Sequence, residues 1–256
     1  TRVRSSAASD VYKRQDEHYQ KNETTLKEDA LSDRWESRGS KVAVVSKEKA
    51  DNNDYPEAKE VLLVNNTKNK VIVSQKVFDQ AYPASTTKIM TALVALENAD
   101  LSDVVTVSQN ADMNSFAADE ATCGIKAGDK ITLSDLLYGL LLHSGNDNAT
   151  AIAEYVGGSM DGFAEMMNKE AAKLMATGTH FVNSNGLHHD NHYTTAYDLY
   201  LIFNEALKLP LFCEIINAQS YTADYTDANG AAKQQVWKVG NWYLKGCLLY
   251  TSPSPR

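Results

Sequence analysis

Residues 82–93 read YPASTTKIMTAL and combine a reactive pattern with a helical one. Ser85 and Lys88 form an S-x-x-K pair. Positions three apart share one face of a helix, so the lysine amine can approach the serine hydroxyl. A serine becomes a strong nucleophile when a base takes its proton, and a lysine serves as that base when burial lowers its pKa. The spacing therefore predicts a nucleophile and its base at the start of a helix over residues 85–98.

A second short motif, Ser-Gly-Asn at residues 144–146, lies in a break between two apolar helical stretches. Such a break can place a hydroxyl and an amide in a cleft beside the first helix. There Ser144 would relay protons, and Asn146 would hold a substrate carbonyl and Lys88. Each motif has a second match in the chain, at residues 46–49 and 108–110. A plain helix cap with a solvated lysine, and a helix–helix turn, are the alternative interpretations.

The composition of the 256-residue chain argues against several classes of protein. Hydrophobic residues make up 43% and charged residues 23%, a normal globular balance. The net charge of -8 argues against binding to nucleic acid. Three cysteines cannot form a disulfide framework, and the longest apolar runs are too short to cross a bilayer. The cluster at residues 188–192 has no metal-ligand spacing, so a polar turn is preferred over a metal site.

Hydrophobic patterning predicts the order strands, helices, strands. We expect a hairpin from residues 60–65 and 71–77, a strand over 104–107, and a β-ribbon over 220–244 that turns at 227–230. Further helices are predicted over 132–142, 147–156 and 159–178, and from 195 to before Pro210. Helices between two strand runs indicate an α/β protein of the α+β type, with an antiparallel sheet and an inserted, mostly helical subdomain.

The two ends of the chain differ from its middle. Residues 1–15 and 246–256 resemble translated sequencing adapters, so we expect both tails to be non-native. Ordinary terminal segments are the alternative. Residues 16–55 are polar and charged and are predicted to form a flexible leader. The predicted catalytic domain covers residues 56–245, and we expect no segment of residues 1–55 to serve as a secretory signal, since none is apolar enough.

Three longer stretches carry a resemblance to a known family. They are residues 82–93, residues 135–147 (DLLYGLLLHSGND), and residues 180–198, which hold HFVNSNGL and HYTTAYD. They resemble the D-alanyl-D-alanine carboxypeptidases, the low-molecular-mass penicillin-binding proteins, over about residues 56–245. The resemblance implies a β-lactamase/DD-peptidase-like fold. It also implies a bacterial serine peptidase located outside the cytoplasmic membrane.

The resemblance also implies roles for individual residues. Ser85 would be the nucleophile, with its backbone N–H in the oxyanion hole, and Lys88 would be the general base. Ser144 would assist proton transfer to the leaving group, and Asn146 would orient the substrate. The implied substrate is the D-Ala-D-Ala end of the peptidoglycan stem peptide, and β-lactams would acylate Ser85. No cofactor and no metal are implied, and membrane association would need a C-terminal segment beyond these residues.

The chain departs from the family pattern at the third motif, K-[TS]-G. The nearest candidate is Lys238-Val239-Gly240, where valine replaces the hydroxyl residue. Residues 237–244 resemble the segment before that strand. We therefore expect the sheet to be incomplete and the 256-residue chain to be an inactive version of an active enzyme. Its mass should not change with benzylpenicillin, and stoichiometric acylation of Ser85 would contradict this expectation.

Two other functions are open. A serine β-lactamase shares the fold and the nucleophile, but residues 179–189 lack the glutamate that activates the deacylating water in class A enzymes. Slow release of the acyl group is therefore expected. A non-catalytic, peptidoglycan-binding relative is the second alternative, and only the missing K-[TS]-G motif supports it. A downstream strand that carries the motif would favour the enzyme.

Overall fold

The computed structural model describes residues 42–45 and 58–239, in two units divided after Asp79. In the smaller unit, β1 (Val61–Asn65) pairs antiparallel with β2 (Lys70–Gln75). The Asn65 side chain accepts a hydrogen bond from the Lys68 N–H, as turn asparagines do. The predicted hairpin is confirmed.

The larger unit begins at Gln80 and holds six helices and four strands among the described residues. Its helices are α1 (Thr87–Asn98), α2 (Leu133–Leu142), α3 (Asn146–Gly157), α4 (Met160–Lys173), α5 (Ala196–Ala206) and α6 (Pro210–Asn217). Its strands are β3 (Val104–Thr106), β4 (Lys130–Thr132), β5 (Ser220–Thr226) and β6 (Ala232–Lys238). Short 3-10 turns cover Ala84–Thr86 and Met113–Ser115.

The sheet of this unit is antiparallel, with strand order β3-β4-β5-β6. Five helices, α2 to α6, lie in sequence between the neighbouring strands β4 and β5. The predicted fold class, an antiparallel sheet with an inserted helical block, is therefore confirmed. Strand β4 was not predicted, because it is three residues long and only Ile131 in it is buried.

Helix α1 lies at the centre of the helical block. It packs against α2, α3, α4 and α5, and Lys88 and Met90 to Ala95 are all buried. A helix that is surrounded by others buries residues on every face. The close packing holds the first turn of α1, which carries Lys88, in a fixed place beside the 3-10 turn that carries Ser85.

The helices lie where the sequence predicts them, with two exceptions. Helices α2 and α5 begin at capping residues, because the Thr132 and Thr195 hydroxyls accept the N–H groups of Asp135 and Asp198. Helix α4 ends at Lys173 rather than near 178, because the chain turns into the left-handed region at Met175 (φ 60°). Helix α6 is absent from the prediction: Pro210 begins this helix, because proline suits the first position of a helix as well as the position after its end.

Several predictions lie outside the described residues. These are both terminal tails, most of the 16–55 leader, and the β-ribbon beyond residue 239. Within the leader, Ala43 and Val45 are described, and both are buried. In the described part of the chain, no helix has the length and apolarity needed to cross a membrane.

Candidate active site

The nucleophile turn precedes α1 and leaves Ser85 accessible. Ala84 adopts a left-handed conformation (φ 47°), and the 3-10 turn Ala84–Thr86 runs directly into α1. The backbone N–H and the hydroxyl of Thr86 both donate to the carbonyl oxygen of Pro83, at 3.1 and 2.6 Å. This turn closes the entry to the helix and exposes Ser85 and Thr86, while Thr87 and Lys88 are buried.

The amine of Lys88 lies next to the hydroxyl of Ser85, as the spacing predicts. The Nζ–Oγ distance is 3.2 Å, and Lys88 is only 2% exposed. Two further oxygens contact the same amine: Asn146 Oδ1 at 2.8 Å and the backbone carbonyl oxygen of Asn185 at 2.8 Å. Three oxygens from separate parts of the chain thus converge on one nitrogen.

This geometry can also be satisfied by an unprotonated amine. A neutral amine has two N–H groups and one lone pair. If the N–H groups donate to Asn146 and Asn185, the lone pair is left for the proton of the Ser85 hydroxyl. Burial lowers the pKa of Lys88 from 10.5 to about 8, and the nearby Cys123 and Asp147 partly oppose this shift. With this pKa, about a tenth of the amine is neutral at pH 7.

Asn146 is the first residue of α3 and is buried. Its backbone N–H donates to the carbonyl oxygen of Ala121 at 2.8 Å. The preceding Gly145 is required by packing, because a Cβ there would lie 2.5 Å from Cys123 Sγ. Ser144 is half-buried in the left-handed region (φ 62°), and among the described residues its hydroxyl has no hydrogen bond to Ser85 or Lys88.

Asp147 stabilises the segment that contacts the 144–146 turn. The sequence did not indicate it as a site residue. Its buried carboxylate accepts the backbone N–H groups of Cys123, Gly124 and Ile125. Burial raises the pKa of Asp147, and the N–H donors act in the opposite direction. The carboxylate thereby fixes residues 123–125, which follow the Ala121 carbonyl that accepts the Asn146 N–H.

Residues 183–187 form the opposite wall of the site. The Asn185 carbonyl oxygen accepts from Lys88, and the Ser184 carbonyl oxygen accepts from the Thr91 hydroxyl at 2.6 Å. Gly186 has φ 88° and packs so closely that a Cβ would lie 1.9 Å from the Ala84 carbonyl oxygen. This loop therefore touches the nucleophile turn and holds the lysine at the same time.

The sequence matches the D-alanyl-D-alanine carboxypeptidase family over residues 46–249. The chain belongs to this family. It is 32% identical to the D-alanyl-D-alanine carboxypeptidase DacF of Bacillus subtilis over 177 aligned residues. The alignment covers 67% of this chain and 44% of that protein. The chain is 42% identical over 135 residues to DacB2 of Mycobacterium tuberculosis, covering 52% of this chain and 45% of that protein.

Solved structures show the same fold. The Streptomyces K15 DD-transpeptidase has a TM-score of 0.68 and 30% identity, over 75% of this chain and 78% of that one. Penicillin binding protein 6B from Escherichia coli has a TM-score of 0.65 and 26% identity, over 80% of this chain and 64% of that one. The chain spans less than half the length of the two curated carboxypeptidases named above.

The carboxypeptidase-family site brings three of the four predicted side chains together: Ser85, Lys88 and Asn146. Ser144 lies two residues from Asn146, and its role stays a prediction, as does the oxyanion role of the Ser85 N–H. Asn185 was missed, because a backbone carbonyl leaves no trace in side-chain identity. Its only signal was its place in a stretch that resembles the family.

The side chains of the histidine cluster at residues 188–192 do not meet at a common point. The side chains of His188 and Asp190 are 67% and 93% exposed, whereas His192 is buried. Within the described residues, no group of three or more His, Cys, Asp or Glu side chains could hold a metal ion. Lys238, the nearest match to the third motif, ends β6, and Gly240 lies outside the described residues.

We expect Gly186→Ala to disturb both the loop and the nucleophile turn. The left-handed backbone costs a non-glycine residue about 1–2 kcal/mol, and the clash with Ala84 adds about 1–3 kcal/mol more. Gly230→Ala is the matched control, since Gly230 has φ 82° and no heavy atom within 4 Å of the added Cβ. Urea unfolding should show a larger decrease in the free energy of unfolding for Gly186→Ala than for Gly230→Ala. Equal losses would show that the close approach to Ala84 carries no cost.

Proposed function

We propose that this protein is a serine-type D-Ala-D-Ala carboxypeptidase that removes the terminal D-alanine of peptidoglycan stem peptides through an acyl-serine intermediate. The contact between Ser85 and the buried amine of Lys88, 3.2 Å apart, is the observation that carries this proposal. Membership of the family, and the names of its relatives, support the choice of substrate.

Acylation begins with the proton of Ser85. The neutral Lys88 amine accepts it while Oγ attacks the carbonyl carbon between the two D-alanines. The tetrahedral oxyanion accepts a hydrogen bond from the Ser85 backbone N–H, which lies at the start of the 3-10 turn. Asn146 holds Lys88 through Oδ1 and leaves its amide NH₂ group for the substrate. The side chains are thus arranged before the substrate arrives.

The intermediate then breaks its C–N bond. The leaving amine of D-alanine takes the proton from Lys88, with Ser144 as the proposed relay, because Ser144 lies at the turn that ends in Asn146. Water attacks the acyl-serine with Lys88 again as the base, and Ser85 recovers its proton. The facing loop, residues 183–187 (NSNGL), offers no carboxylate to speed this hydrolysis. Slow release of a bound β-lactam is therefore expected.

The proposed substrate implies where the protein is located in the cell and which compounds inhibit it. Peptidoglycan stem peptides lie outside the cytoplasmic membrane, so we place the protein in the periplasm or on the outer face of that membrane. β-Lactam antibiotics would act as covalent inhibitors of Ser85, since their strained amide is attacked by the same nucleophile.

The test is release of D-alanine from an acylated Lys-D-Ala-D-Ala peptide by the full-length protein. We expect release by the wild type, none by Ser85→Ala, and inhibition by benzylpenicillin with a matching mass increase on Ser85. Transfer of the acyl group to an added amine without hydrolysis would instead assign a transpeptidase, the activity named for the Streptomyces K15 relative. Rapid turnover of nitrocefin would assign a β-lactamase, and binding of peptidoglycan without release of D-alanine would assign a non-catalytic binding protein.

A further inference from the structure

His192 is a buried titratable residue that the proposed mechanism does not use. It is 1% exposed and lies in the segment that leads into α5. That segment is clamped on both sides by backbone hydrogen bonds. Tyr193 exchanges them with His180, and Thr194 exchanges them with Ala81, four residues before Ser85. His192 is therefore carried on a strand-like connection that runs beside the nucleophile turn.

The hydrogen bonds of His192 determine its tautomer. The Val182 backbone N–H donates to Nδ1 at 3.1 Å, so Nδ1 carries no proton. In a neutral imidazole the proton must then be on Nε2. Nε2 lies 2.8 Å from the Thr87 hydroxyl oxygen and donates to it. The ring thus connects the backbone of one segment to a side chain on the first turn of α1.

Charge and burial keep this ring neutral. Burial lowers the pKa of His192 from 6.5 to about 4, and the neighbouring His180 and His189 act in the same direction. The α1 partner, Thr87, is uncharged, and the edge of the ring packs against Phe181 at 5.5 Å between centroids. A proton on Nδ1 would face the Val182 N–H, so the bridge is compatible only with the neutral form.

Thr87 lies between the two reacting residues, Ser85 and Lys88. Two other links join α1 to residues 183–187: Lys88 to the Asn185 carbonyl and Thr91 to the Ser184 carbonyl. The His192–Thr87 bond is the side-chain link that lies nearest to Ser85 in sequence without using the catalytic amine. It fixes the first turn of α1, on which the distance between the Ser85 hydroxyl and the Lys88 amine depends.

We propose that His192 is a positioning residue for the nucleophile: through its Nε2–H bond to Thr87 it holds the first turn of α1 in the geometry that acylation of Ser85 requires. This inference rests on the proposed function. Misplacement of reacting groups by about 1 Å costs roughly 100-fold in rate, so a partial loosening of this turn should cost roughly 10- to 100-fold.

The test compares acylation of the full-length protein by a fluorescent penicillin in His192→Ala, His192→Gln and Thr87→Val. We expect His192→Ala to lower the rate constant at saturating penicillin by roughly 10- to 100-fold, with little change in the half-saturating concentration. Thr87→Val replaces the hydroxyl with a methyl group of similar size and should lower the rate similarly. His192→Gln, which keeps an N–H near the position of Nε2, should recover part of the rate. His189→Ala, at an exposed histidine three residues away, should match the wild type.

A double variant separates positioning from general stability. If the two residues act through one bond, His192→Ala adds no further loss of rate in the Thr87→Val background. Wild-type rates in both single variants, or a lower unfolding temperature with an unchanged rate constant, would overturn the inference. A wild-type protein that penicillin does not acylate would overturn the proposed function and this inference with it.

Discussion

Replacing Lys88 with methionine is expected to lower the rate of acylation of Ser85 by about 10²–10⁴-fold, the range that a general base contributes. Methionine fills a similar space but cannot accept the proton of Ser85 Oγ, which lies 3.2 Å from the amine in the wild type. The rate at which a fluorescent penicillin labels the full-length protein measures this loss. Lys169→Met, at an exposed position on α4, is the matched control and should retain the wild-type rate.

Lys88→Arg distinguishes the role of Lys88 as a base from its role as a positive charge beside Ser85. Arginine keeps a positive group beside Ser85 but stays protonated at every relevant pH. If Lys88 acts as a base, the arginine variant should be as slow as the methionine variant. A rate near that of the wild type would show that a cation is sufficient and that the proton of Ser85 goes elsewhere.

Asn146→Asp is expected to produce the second largest effect, through the pKa of Lys88. The substitution preserves the shape of the side chain and puts a carboxylate about where Oδ1 now lies, 2.8 Å from Nζ. An opposite charge at that distance raises the pKa of the amine by about 1–3 units above its present value. The neutral fraction at pH 7 then falls by at least about tenfold, and the acylation rate falls with it.

The pH profile distinguishes this mechanism from damage to the site. In Asn146→Asp the rate should recover at higher pH, because the amine still loses its proton there. Asn146→Ala should also be slow, but its profile should not move to higher pH, since no charge has been added. An Asn146→Asp profile with an unshifted midpoint would show that the amine does not set the rate.

Local patterns in the sequence predicted the side chains that react. Ser85 and Lys88 are one helical turn apart, so spacing alone placed the amine near the hydroxyl. Asn146 was predicted to contact Lys88 from its position in a break between helices, and it does. These predictions succeeded because a helical turn and a helix start have fixed geometry.

The supporting contacts could not be predicted in this way. Asn185 contributes a backbone carbonyl from 97 positions away, and any residue type has that carbonyl. Asp147 contributes by accepting backbone N–H groups of residues 123–125, and His192 by contacting Thr87 from 105 positions away. Such contacts depend on how α1, α3 and the 183–187 loop pack together, which no local pattern specifies.

Short motifs also conceal packing requirements. Gly145 reads as a flexible middle residue, yet its φ of -61° is open to any residue, and the neighbouring Cys123 sulfur is what excludes a side chain. At Gly186 both the backbone angle and the Ala84 carbonyl demand glycine. The second S-x-N match, at residues 108–110, takes no part in the site. Its Ser108 and Asn110 side chains form hydrogen bonds with Glu154.

The pH dependence of Ser85 acylation tests the central claim most directly. In the full-length protein the rate of labelling by penicillin should rise with pH as Lys88 loses its proton, with a midpoint near the pKa of about 8 that burial produces. The profile should disappear in Lys88→Met. A midpoint near 10.5, the ordinary value for a lysine, or a rate independent of pH, would contradict a buried, neutral amine as the base.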